Sequence, residues 1–385
     1  MRILVFTHEY PPVGGGGGKV AQDVARGLVQ RGHEVRVLTA HHGRLPHSET
    51  DEGVEVFRLR SCRREAYRAD LRAMGCYVAA AVLVGGRMAR RWKPDVIHAH
   101  FAVPAGAAAW AVARLTGVPY VLTAHLGDVP GGAPEKTSRW FRWIGPFTRP
   151  IWQGAARISA VSEFTRRLAT ASYPVDVEVI PNGVDVETLR PRALHLHQPP
   201  HILFAARFMP QKNPLQVVRV LSRLRDLPWR CTMLGDGPLR AEVEAAVQVE
   251  GLASRFAFPG WVTPQQVLEH FEEGDILFMP SRSEGLPIVG VQALAKGLAV
   301  VAGAVGGFLD VVAEGENGFL IPPEDAEAAA QALRGLLTQP EQLRAFREAS
   351  LRRARRFDLS AVVAAYEALL TQAATDNTTR RKRGS

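Results

Sequence analysis

Cysteine is scarce in this chain of 385 residues, which has only Cys62, Cys76 and Cys231. Their spacing matches neither a disulfide framework nor a zinc motif, so the sequence predicts neither and favours a cytoplasmic protein. No apolar run approaches the ~20 residues that a membrane-spanning helix needs. The first residues are typical of a strand and lack the cleavage site of a secretion signal. A hydrophobic content of 46% and a charged content of 22% are those of a soluble globular protein.

Two further signatures are missing. No Asp-x-Asp pair lies at the end of a predicted strand, so nothing in the sequence indicates a bound metal. Five glycines, Gly14 to Gly18, follow the first strand but do not form the dinucleotide motif G-x-G-x-x-G, and no acidic residue stands at the required distance. No nucleic-acid recognition motif is present either. We therefore expect no metal, no cofactor and no nucleic-acid partner.

The length of the chain exceeds that of one ordinary core and fits two domains. In both halves short apolar runs alternate with segments of helical spacing, which predicts α/β domains with doubly wound parallel sheets. We expect domains at 1–182 and 183–358, a closing helix at 359–375 that packs on the first domain, and a disordered basic tail at 376–385. Predicted strands cover 2–6, 33–39, 95–100, 120–125, 158–162, 177–180, 202–206, 230–234, 256–260, 276–279 and 299–302.

The stretch from Ser281 to Gly297 has the pattern strand end, tight turn and helix. Glu284 stands in the turn, Pro287 suits the first helical turn, and Gln292 follows on the helix. Free backbone N–H groups and the helix dipole at such a start form an anion site, most naturally for a phosphate. The alternative is a buried helix start with an incidental carboxylate.

Arg207 and Lys212 lie in a loop that follows the predicted strand at 202–206. Two fixed cations together with backbone donors can neutralise a pyrophosphate. A nucleoside-diphosphate leaving group needs this neutralisation as negative charge develops on it. Arginine and lysine would then take the place of a metal ion.

Histidines end two predicted strands of the first half. His98 and His100 end one strand and His125 ends the next, with Asp128 three residues further on. In open α/β sheets ligands bind beyond the carboxyl ends of strands, so these side chains are candidates for a ligand site. A structural hydrogen-bonding role at a strand end is the alternative.

The net charge of +9 lies mainly in the first half, above all between Arg58 and Lys93. Aromatic residues alternate with arginines between Trp140 and Trp152. Such a basic, aromatic surface favours an anionic or lipid-linked partner and peripheral contact with the inner face of a membrane. A solvated basic surface, and aromatic side chains buried against the sheet, are the alternatives.

Taken together, the motifs resemble the retaining glycosyltransferases of family four, with the GT-B fold of two Rossmann-like domains facing across a cleft, and especially bacterial mannosyl- and glucosyltransferases. The resemblance covers nearly the whole chain. Its individual motifs are short, but they occur in order and at sensible separations. They lie at 11–15, 123–128, 179–185, 206–212, 234–238, 280–285 and 317–322.

This resemblance implies a metal-independent transfer of a hexose from a UDP- or GDP-linked sugar to a hydroxyl acceptor, in glycolipid or polysaccharide synthesis. Arg207 and Lys212 would hold the donor diphosphate, and Glu284 would contact hydroxyls of the transferred sugar. His125 would lie beside the anomeric carbon. The resemblance implies further residues on each side of the site. The donor-binding residues are Gly15, Gly16, Gly285, Leu286, Pro287 and Gln292, and the acceptor-side residues are His100 and Asp128.

The chain departs from the family motif at two positions. Gln292 stands where the family has a second glutamate that accepts hydrogen bonds from the donor ribose, so one acceptor is kept and the charge is lost. Pro287 replaces a frequent glycine and removes one backbone donor. A nucleotide-sugar epimerase or NAD-dependent oxidoreductase on the same architecture, and a nucleotide-sugar-binding protein without turnover, remain as alternatives.

Overall fold

The computed structural model describes residues 1–66, 69–132, 145 and 147–383, with side chains as far as residue 377. The chain forms two compact units. The N-terminal unit comprises Met1–Gly183 and Leu359–Ser385, and the C-terminal unit comprises Val184–Asp358. Each unit is a Rossmann-like α/β domain built on one sheet, as the sequence predicts.

The described residues of the N-terminal unit form an eight-stranded sheet in the order β3-β4-β2-β1-β5-β6-β7-β8. All neighbouring strands are parallel except the β3–β4 pair. The predicted strands are present. Strands β3 and β4 were not predicted; β3 is a short polar edge strand. The strands are β1 Arg2–Phe6, β2 Glu34–Ala40, β3 Ser48–Asp51, β4 Val54–Leu59, β5 Val96–His100, β6 Tyr120–Ala124, β7 Arg157–Ala160 and β8 Glu178–Val179.

Helices α1 Gly16–Gln30, α2 Leu71–Trp92, α3 Ala107–Thr116 and α4 Glu163–Ser172 belong to this unit. Helix α2 begins at the N-cap Asp70, whose carboxylate accepts a hydrogen bond from the N–H of Ala73 at 2.7 Å. The Tyr77 hydroxyl donates to the carbonyl of Leu38 on β2 at 2.9 Å. Helix α2 therefore lies on the sheet.

By length and composition alone, α2 also passes as a candidate membrane span. Its mean hydropathy over an 18-residue window is 1.2, and 28% of that window is buried in the structure. The sequence has no uninterrupted apolar run of that length, since arginine and glycine interrupt the apolar residues of α2, but the mean hydropathy of the helix stays high enough to pass. Core helices pass the same test.

The C-terminal unit has a six-stranded parallel sheet in the order β11-β10-β9-β12-β13-β14. Strands β9, β12 and β13 are fully buried and read as continuous apolar runs, whereas the edge strand β11 is partly exposed; all but β14 were predicted. The strands are β9 His201–Ala205, β10 Arg230–Leu234, β11 Phe256–Gly260, β12 Ile276–Met279, β13 Ala299–Gly303 and β14 Gly318–Ile321. The helices are α5 Val186–Leu189, α6 Pro214–Leu221, α7 Arg240–Val249, α8 Pro264–Glu272, α9 Ile288–Ala295, α10 Phe308–Val311, α11 Ala326–Thr338 and α12 Pro340–Ala354.

The last helix, α13 Leu359–Arg383, returns to the N-terminal unit. A Cβ atom at Gly27 of α1 would collide with the side chain of Val363, so glycine lets the two helices pack closely. Glu367 accepts hydrogen bonds from Arg31 at 2.5 Å and from His33 at 2.7 Å. The helix continues through Arg383, which corrects the prediction of a disordered tail from residue 376.

Cys62 and Cys76 form a disulfide with 6.1 Å between their Cα atoms. The sequence predicted no bridge, because a separation of 14 residues carries no motif and the pairing depends on how α2 returns after β4. Cys231 is free and buried.

Two arginines of the predicted basic surface are structural instead. The side chain of Arg58 is fully buried, pairs with Glu49 and donates to the carbonyl of Pro11 at 2.8 Å. Arg63 is also buried and donates to the carbonyl of His8 at 2.9 Å. Exposed basic residues remain at Arg60, Arg64, Arg72, Arg87, Arg90, Arg91 and Lys93.

Most of the predicted aromatic and arginine segment, residues 139–143, lies outside the described residues. Within the described part, Trp152 is fully buried and its ring stacks on Tyr173 at 4.7 Å. Phe147 is 78% exposed. The structure therefore assigns Trp152 to the core and leaves Phe147 at the surface.

Candidate active site

The centre of the candidate site in the C-terminal unit is an ion pair between Lys212 and Glu284. The Lys212 ammonium nitrogen lies 2.6 Å and 2.7 Å from the two carboxylate oxygens of Glu284. Glu284 is only 5% exposed. Lys212 stands in the loop after β9, and Glu284 stands in the loop after β12. Because β9 and β12 are parallel neighbours, the topology brings both loops to the carboxyl edge of the sheet.

Backbone and side-chain hydrogen bonds join these two loops. The N–H of Arg282 donates to the carbonyl of Gln211 at 2.8 Å, and the Gln211 side chain donates to the carbonyl of Ser283 at 2.9 Å. Glu324 accepts from Arg282 at 2.5 Å and from Asn213 at 3.2 Å. The geometry of the Lys212–Glu284 pair is therefore fixed from both sides. Arg207, half-buried, begins the same loop as Lys212.

A glycine-containing turn after β13 packs directly on the Glu284 loop. Gly306 has a φ of +54°, and a Cβ atom there would collide with the carbonyl oxygen of Glu284. A Cβ atom at Gly307 would collide with the carbonyl oxygen of Gly285. The N–H of Gly307 donates to the carbonyl of Glu284 at 3.3 Å. Only glycine allows these backbones to approach so closely.

Helix α9 follows this loop and starts at Ile288, so Pro287 occupies the N-cap position and not the first helical turn. This corrects the predicted helix start by one residue. Gly285 and Leu286 lie between Glu284 and the helix, which directs the positive end of its dipole toward that turn. Gln292 lies on α9 and is partly exposed, so its amide is accessible to a ligand.

In the N-terminal unit a chain of buried polar side chains crosses the carboxyl edge of the sheet. The His100 Nδ1 atom lies 3.1 Å from the His125 Nε2 atom. His98 shares a hydrogen bond with Thr123 at 2.9 Å, and Thr123 shares one with Ser159 at 2.8 Å. His100 is 0% exposed because β5 lies between β1 and β6. It therefore contacts His125 and is closed to an acceptor, contrary to the role that the resemblance implied.

Burial controls the charge of these histidines. It lowers the pKa of His98 and that of His125 to about 3, and it lowers the pKa of His100 well below the usual value of 6.5. All three imidazoles are therefore neutral near pH 7. The His100–His125 contact then consists of one donor and one acceptor, and His125 presents an uncharged ring.

Asp128 holds the backbone around His125. Its carboxylate accepts hydrogen bonds from the N–H of His125 at 2.9 Å and from the N–H of Ala102 at 2.6 Å. The residue is 2% exposed, and burial raises the pKa of its carboxyl group to about 6. Because its oxygens accept hydrogen bonds from the protein backbone, Asp128 supports the loop after β6.

The predicted glycine loop is part loop and part helix. Gly14 has a φ of +103°, and its N–H donates to the carbonyl of Ala66 at 2.7 Å. The N–H of Gly15 donates to the Glu9 carboxylate at 3.0 Å. Helix α1 begins at Gly16, earlier than the sequence predicted. Gly16, Gly17 and Gly18 thus form the first turn of α1, where the backbone carries no side chains.

Phe101 is a site residue that sequence reasoning missed. Its ring lies 4.4 Å from the His125 ring and 4.8 Å from the His8 ring. A Cβ atom at Gly17 would collide with the same ring. Phe101 therefore connects the glycine turn to His125. Its position directly after His100 was the available signal, but the backbone φ of +73° that turns it inward is not readable from the sequence.

Comparison with known proteins decides the family. The profile of glycosyltransferase family 4 matches residues 14–188, and that of glycosyl transferases group 1 matches residues 185–353. The chain is 30% identical over 359 residues to the 2-deoxystreptamine glucosyltransferase of Streptomyces kanamyceticus, covering 84% of this chain and 91% of the relative. The chain belongs to glycosyltransferase family 4. A second relative, the D-inositol 3-phosphate glycosyltransferase of Frankia alni, is 33% identical, with coverage of 86% and 88%.

Solved structures show the same fold. The sucrose-phosphate synthase of Thermosynechococcus elongatus has a TM-score of 0.81 at 21% identity and covers 96% of this chain and 98% of its own. The Anabaena protein HepE in complex with UDP and glucose has a TM-score of 0.77 at 18% identity, with coverage of 96% and 99%. The chain is therefore a group 1 glycosyltransferase with the GT-B fold, as the resemblance implied.

Proposed function

We propose that this glycosyltransferase moves a hexose from a nucleoside-diphosphate sugar to a hydroxyl acceptor with retention of anomeric configuration. The observation that carries the proposal is the Lys212–Glu284 pair, fixed by both of its loops at the carboxyl edge of the sheet. A cation beside a buried carboxylate suits a ligand that carries both a diphosphate and sugar hydroxyls. Arg207 at the start of the same loop adds the second cation.

Each residue has a defined part in the proposed reaction. Lys212 and Arg207 neutralise the diphosphate as the bond between the sugar C1 atom and the phosphate oxygen breaks. Glu284, freed from part of its contact with Lys212, accepts hydrogen bonds from sugar hydroxyls. The acceptor oxygen bonds to C1 on the same face, and its proton passes to the departing phosphate oxygen. His125 is neutral near pH 7, so its ring adds no charge that would oppose the positive charge developing on the sugar.

Uridine diphosphate is the proposed leaving group. The structure of HepE was determined with UDP and glucose, and the Streptomyces kanamyceticus relative is named a glucosyltransferase. These names support UDP-glucose or a close relative of it as the donor. GDP sugars are the competing donors.

Replacement of Lys212 by glutamine tests the proposal. We expect kcat/KM for the donor to fall on the order of 10²-fold, the usual cost of removing one group that stabilises developing charge. Arg334→Gln is the matched control, because it removes a cation from an exposed pair with Asp226 in the same unit. Full donor affinity and turnover in Lys212→Gln would refute the assignment. Donor binding by the wild type without turnover would favour the non-catalytic alternative.

Metal independence and retention have separate tests. Because the two cations are supplied by side chains, we expect turnover to be unchanged by EDTA. We expect proton NMR of the first product to show the anomeric configuration of the donor. Loss of activity with EDTA, restored by a divalent cation, would contradict the first expectation, and an inverted product would contradict the second.

We further propose that the N-terminal unit contacts an anionic membrane and that the acceptor is lipid-linked. The support is the exposed surface of α2, where Leu83 is 60% exposed, together with Leu71 at the start of the helix, which is 63% exposed. Arg87, Arg90 and Arg91 are exposed at the end of the same helix. Apolar side chains beside arginines are typical of surfaces that lie at a lipid headgroup layer.

Sedimentation with phosphatidylglycerol vesicles tests the membrane contact. We expect the double variant Leu71→Gln/Leu83→Gln to lose most of its vesicle binding, and Arg64→Glu to weaken it. Val249→Gln is the control, because Val249 is 85% exposed on the C-terminal unit. Equal sedimentation of the double variant and the wild type would refute the contact.

A further inference from the structure

The C-terminal unit contains a cavity away from the Lys212–Glu284 pair. The cavity has a volume of about 500 Å³ and lies between α12 and the turn Gly315–Asn317. Phe346 and Ala349 form an apolar part of its lining, and three arginines, at positions 352, 353 and 356, form the cationic part. Spacings of three and four residues place Ala349 and these arginines on one side of the helix and the turn that follows it.

Arg353 is held in a fixed orientation. Its Nε atom donates to the carbonyl of Val311 at 2.7 Å, and its Nη2 atom donates to the carbonyl of Asp310 at 2.7 Å. These bonds occupy one edge of the guanidinium group and do not use the Nη1 atom. A guanidinium that is oriented in advance loses little freedom when it binds an anion.

Glu316 and Asp310 compensate the positive charge of this cavity only in part. Among the residues that the structure describes, no carboxylate lies within ion-pair distance of the arginines at 352, 353 and 356, although Glu316 is part of the lining. Arginines elsewhere in the unit, such as Arg240 and Arg334, are paired. Burial lowers the pKa of Arg353, repulsion from Arg356 lowers it further, and attraction to Glu316 and Asp310 offsets part of this lowering. Arg352 and Arg356 are exposed, so their guanidinium groups are accessible to an anion that enters the cavity.

We propose that this cavity is a binding site for a small phosphorylated anion. Guanidinium groups match the oxygen geometry of a phosphoryl group and bind it with charge-assisted hydrogen bonds. The apolar lining at Phe346 and Ala349 suits the carbon part of a phosphate monoester. Glu316 opposes the ligand and sets an upper limit on its affinity.

The cavity is connected to the loop that carries Glu284. Arg353 holds the last two carbonyls of the short helix α10, Asp310 and Val311. The residue before this helix, Gly307, donates its N–H to the carbonyl of Glu284. An anion at Arg353 therefore acts on α10 and, through it, on the Glu284 loop. This coupling rests on the proposed function, whereas the binding site does not.

Calorimetric titration tests the binding site, with inorganic phosphate and glycerol 3-phosphate as probes. The titrations use the Lys212→Gln protein so that the Lys212–Glu284 site does not contribute. We expect saturable binding to one site. Adding Arg352→Gln/Arg356→Gln should weaken it at least tenfold, and adding Glu316→Gln should strengthen it several-fold. Arg344→Gln is the control, because Arg344 is exposed on α12 and does not line the cavity.

The two probes identify the source of the phosphoryl group. Tighter binding of glycerol 3-phosphate supports a phosphate monoester, and equal binding supports phosphate itself. No saturable binding of either probe, or equal binding by the protein with and without Arg352→Gln/Arg356→Gln, would overturn the site.

The coupling has its own test in the protein with Lys212 intact. We expect glycerol 3-phosphate to change kcat/KM for the donor in the wild type and not in Arg352→Gln/Arg356→Gln. Unchanged kinetics with demonstrated binding would overturn the coupling and keep the site. Absence of any transferase activity in the wild-type protein would refute the proposed function. The titration would still decide the binding site.

Discussion

Lys212 and Glu284 neutralise one another before any donor arrives. The pair lies at the edge of a parallel sheet, and Glu284 is nearly buried, so each charge compensates for the desolvation of the other. A bound diphosphate offers Lys212 a more highly charged partner. Glu284 then needs new hydrogen-bond donors, which the hydroxyls of a sugar supply. In the proposed reaction, this exchange of partners would couple recognition of the phosphate to recognition of the sugar.

The buried histidines make stability depend on pH. Unfolded histidine takes up a proton near pH 6.5, whereas burial lowers the pKa of His98 to about 3. Protons therefore favour the unfolded state, and stability is lost as the pH falls below 6.5. We expect His98→Gln to reduce this loss by about 1.4 kcal/mol per pH unit between pH 6 and pH 4.

Urea unfolding at several pH values measures this slope. His195→Gln is the control, because His195 is exposed. An unchanged slope in His98→Gln would show that His98 is not kept neutral by burial.

We propose that Gln292 holds the ribose of the donor. A carboxylate at this position would accept hydrogen bonds from the ribose hydroxyls with a full charge, which strengthens them by ~1 kcal/mol. We expect Gln292→Glu to bind UDP about fivefold more tightly, as measured by calorimetry. The gain should vanish with 2′,3′-dideoxyuridine diphosphate. An equal gain in affinity for both nucleotides would show that the substitution does not act through the ribose hydroxyls.

At the scale of elements, the site depends on loops that contact one another through backbone atoms. The turn after β13 rests on the Glu284 loop, and glycine is required where they touch. The strands were predictable because buried parallel strands read as apolar runs. The contact between Gly306 and Glu284 was not, because it joins loops after different strands and leaves no periodic pattern. The Cys62–Cys76 bridge and the ring of Phe101 also leave no periodic pattern: the bridge joins the segment after β4 to α2, and Phe101 is turned inward by a φ of +73°.

Gly306→Ala tests this contact. The added Cβ atom would collide with the carbonyl oxygen of Glu284 in addition to straining the backbone at a φ of +54°. We expect donor affinity to fall at least tenfold and the melting temperature to drop by several degrees. Gly251→Ala is the control, since Gly251 has a φ of +68° and nothing lies within 4 Å of its added Cβ atom. If both substitutions lowered donor affinity equally, backbone strain alone would explain the effect, and the contact with Glu284 would not be needed.

At the scale of the whole molecule, the sequence predicted two α/β domains and the residues at the carboxyl edge of each sheet. It placed Lys212 and Glu284 in loops of the same half, and the structure brings them into direct contact. It misjudged the basic surface, because Arg58 and Arg63 serve the interior, and charge alone does not reveal burial. It also misjudged the chain after residue 376, because composition does not show that a helix continues.

The central claim is that fixed side-chain cations bind a nucleoside diphosphate. The most direct measurement is calorimetric titration of the wild type with UDP, GDP and ADP, each with and without EDTA, and of Lys212→Gln with the nucleotide that binds. The account predicts saturable binding of UDP that EDTA does not change and that Lys212→Gln weakens. Absence of binding by all three nucleotides, or binding that disappears with EDTA, would contradict it.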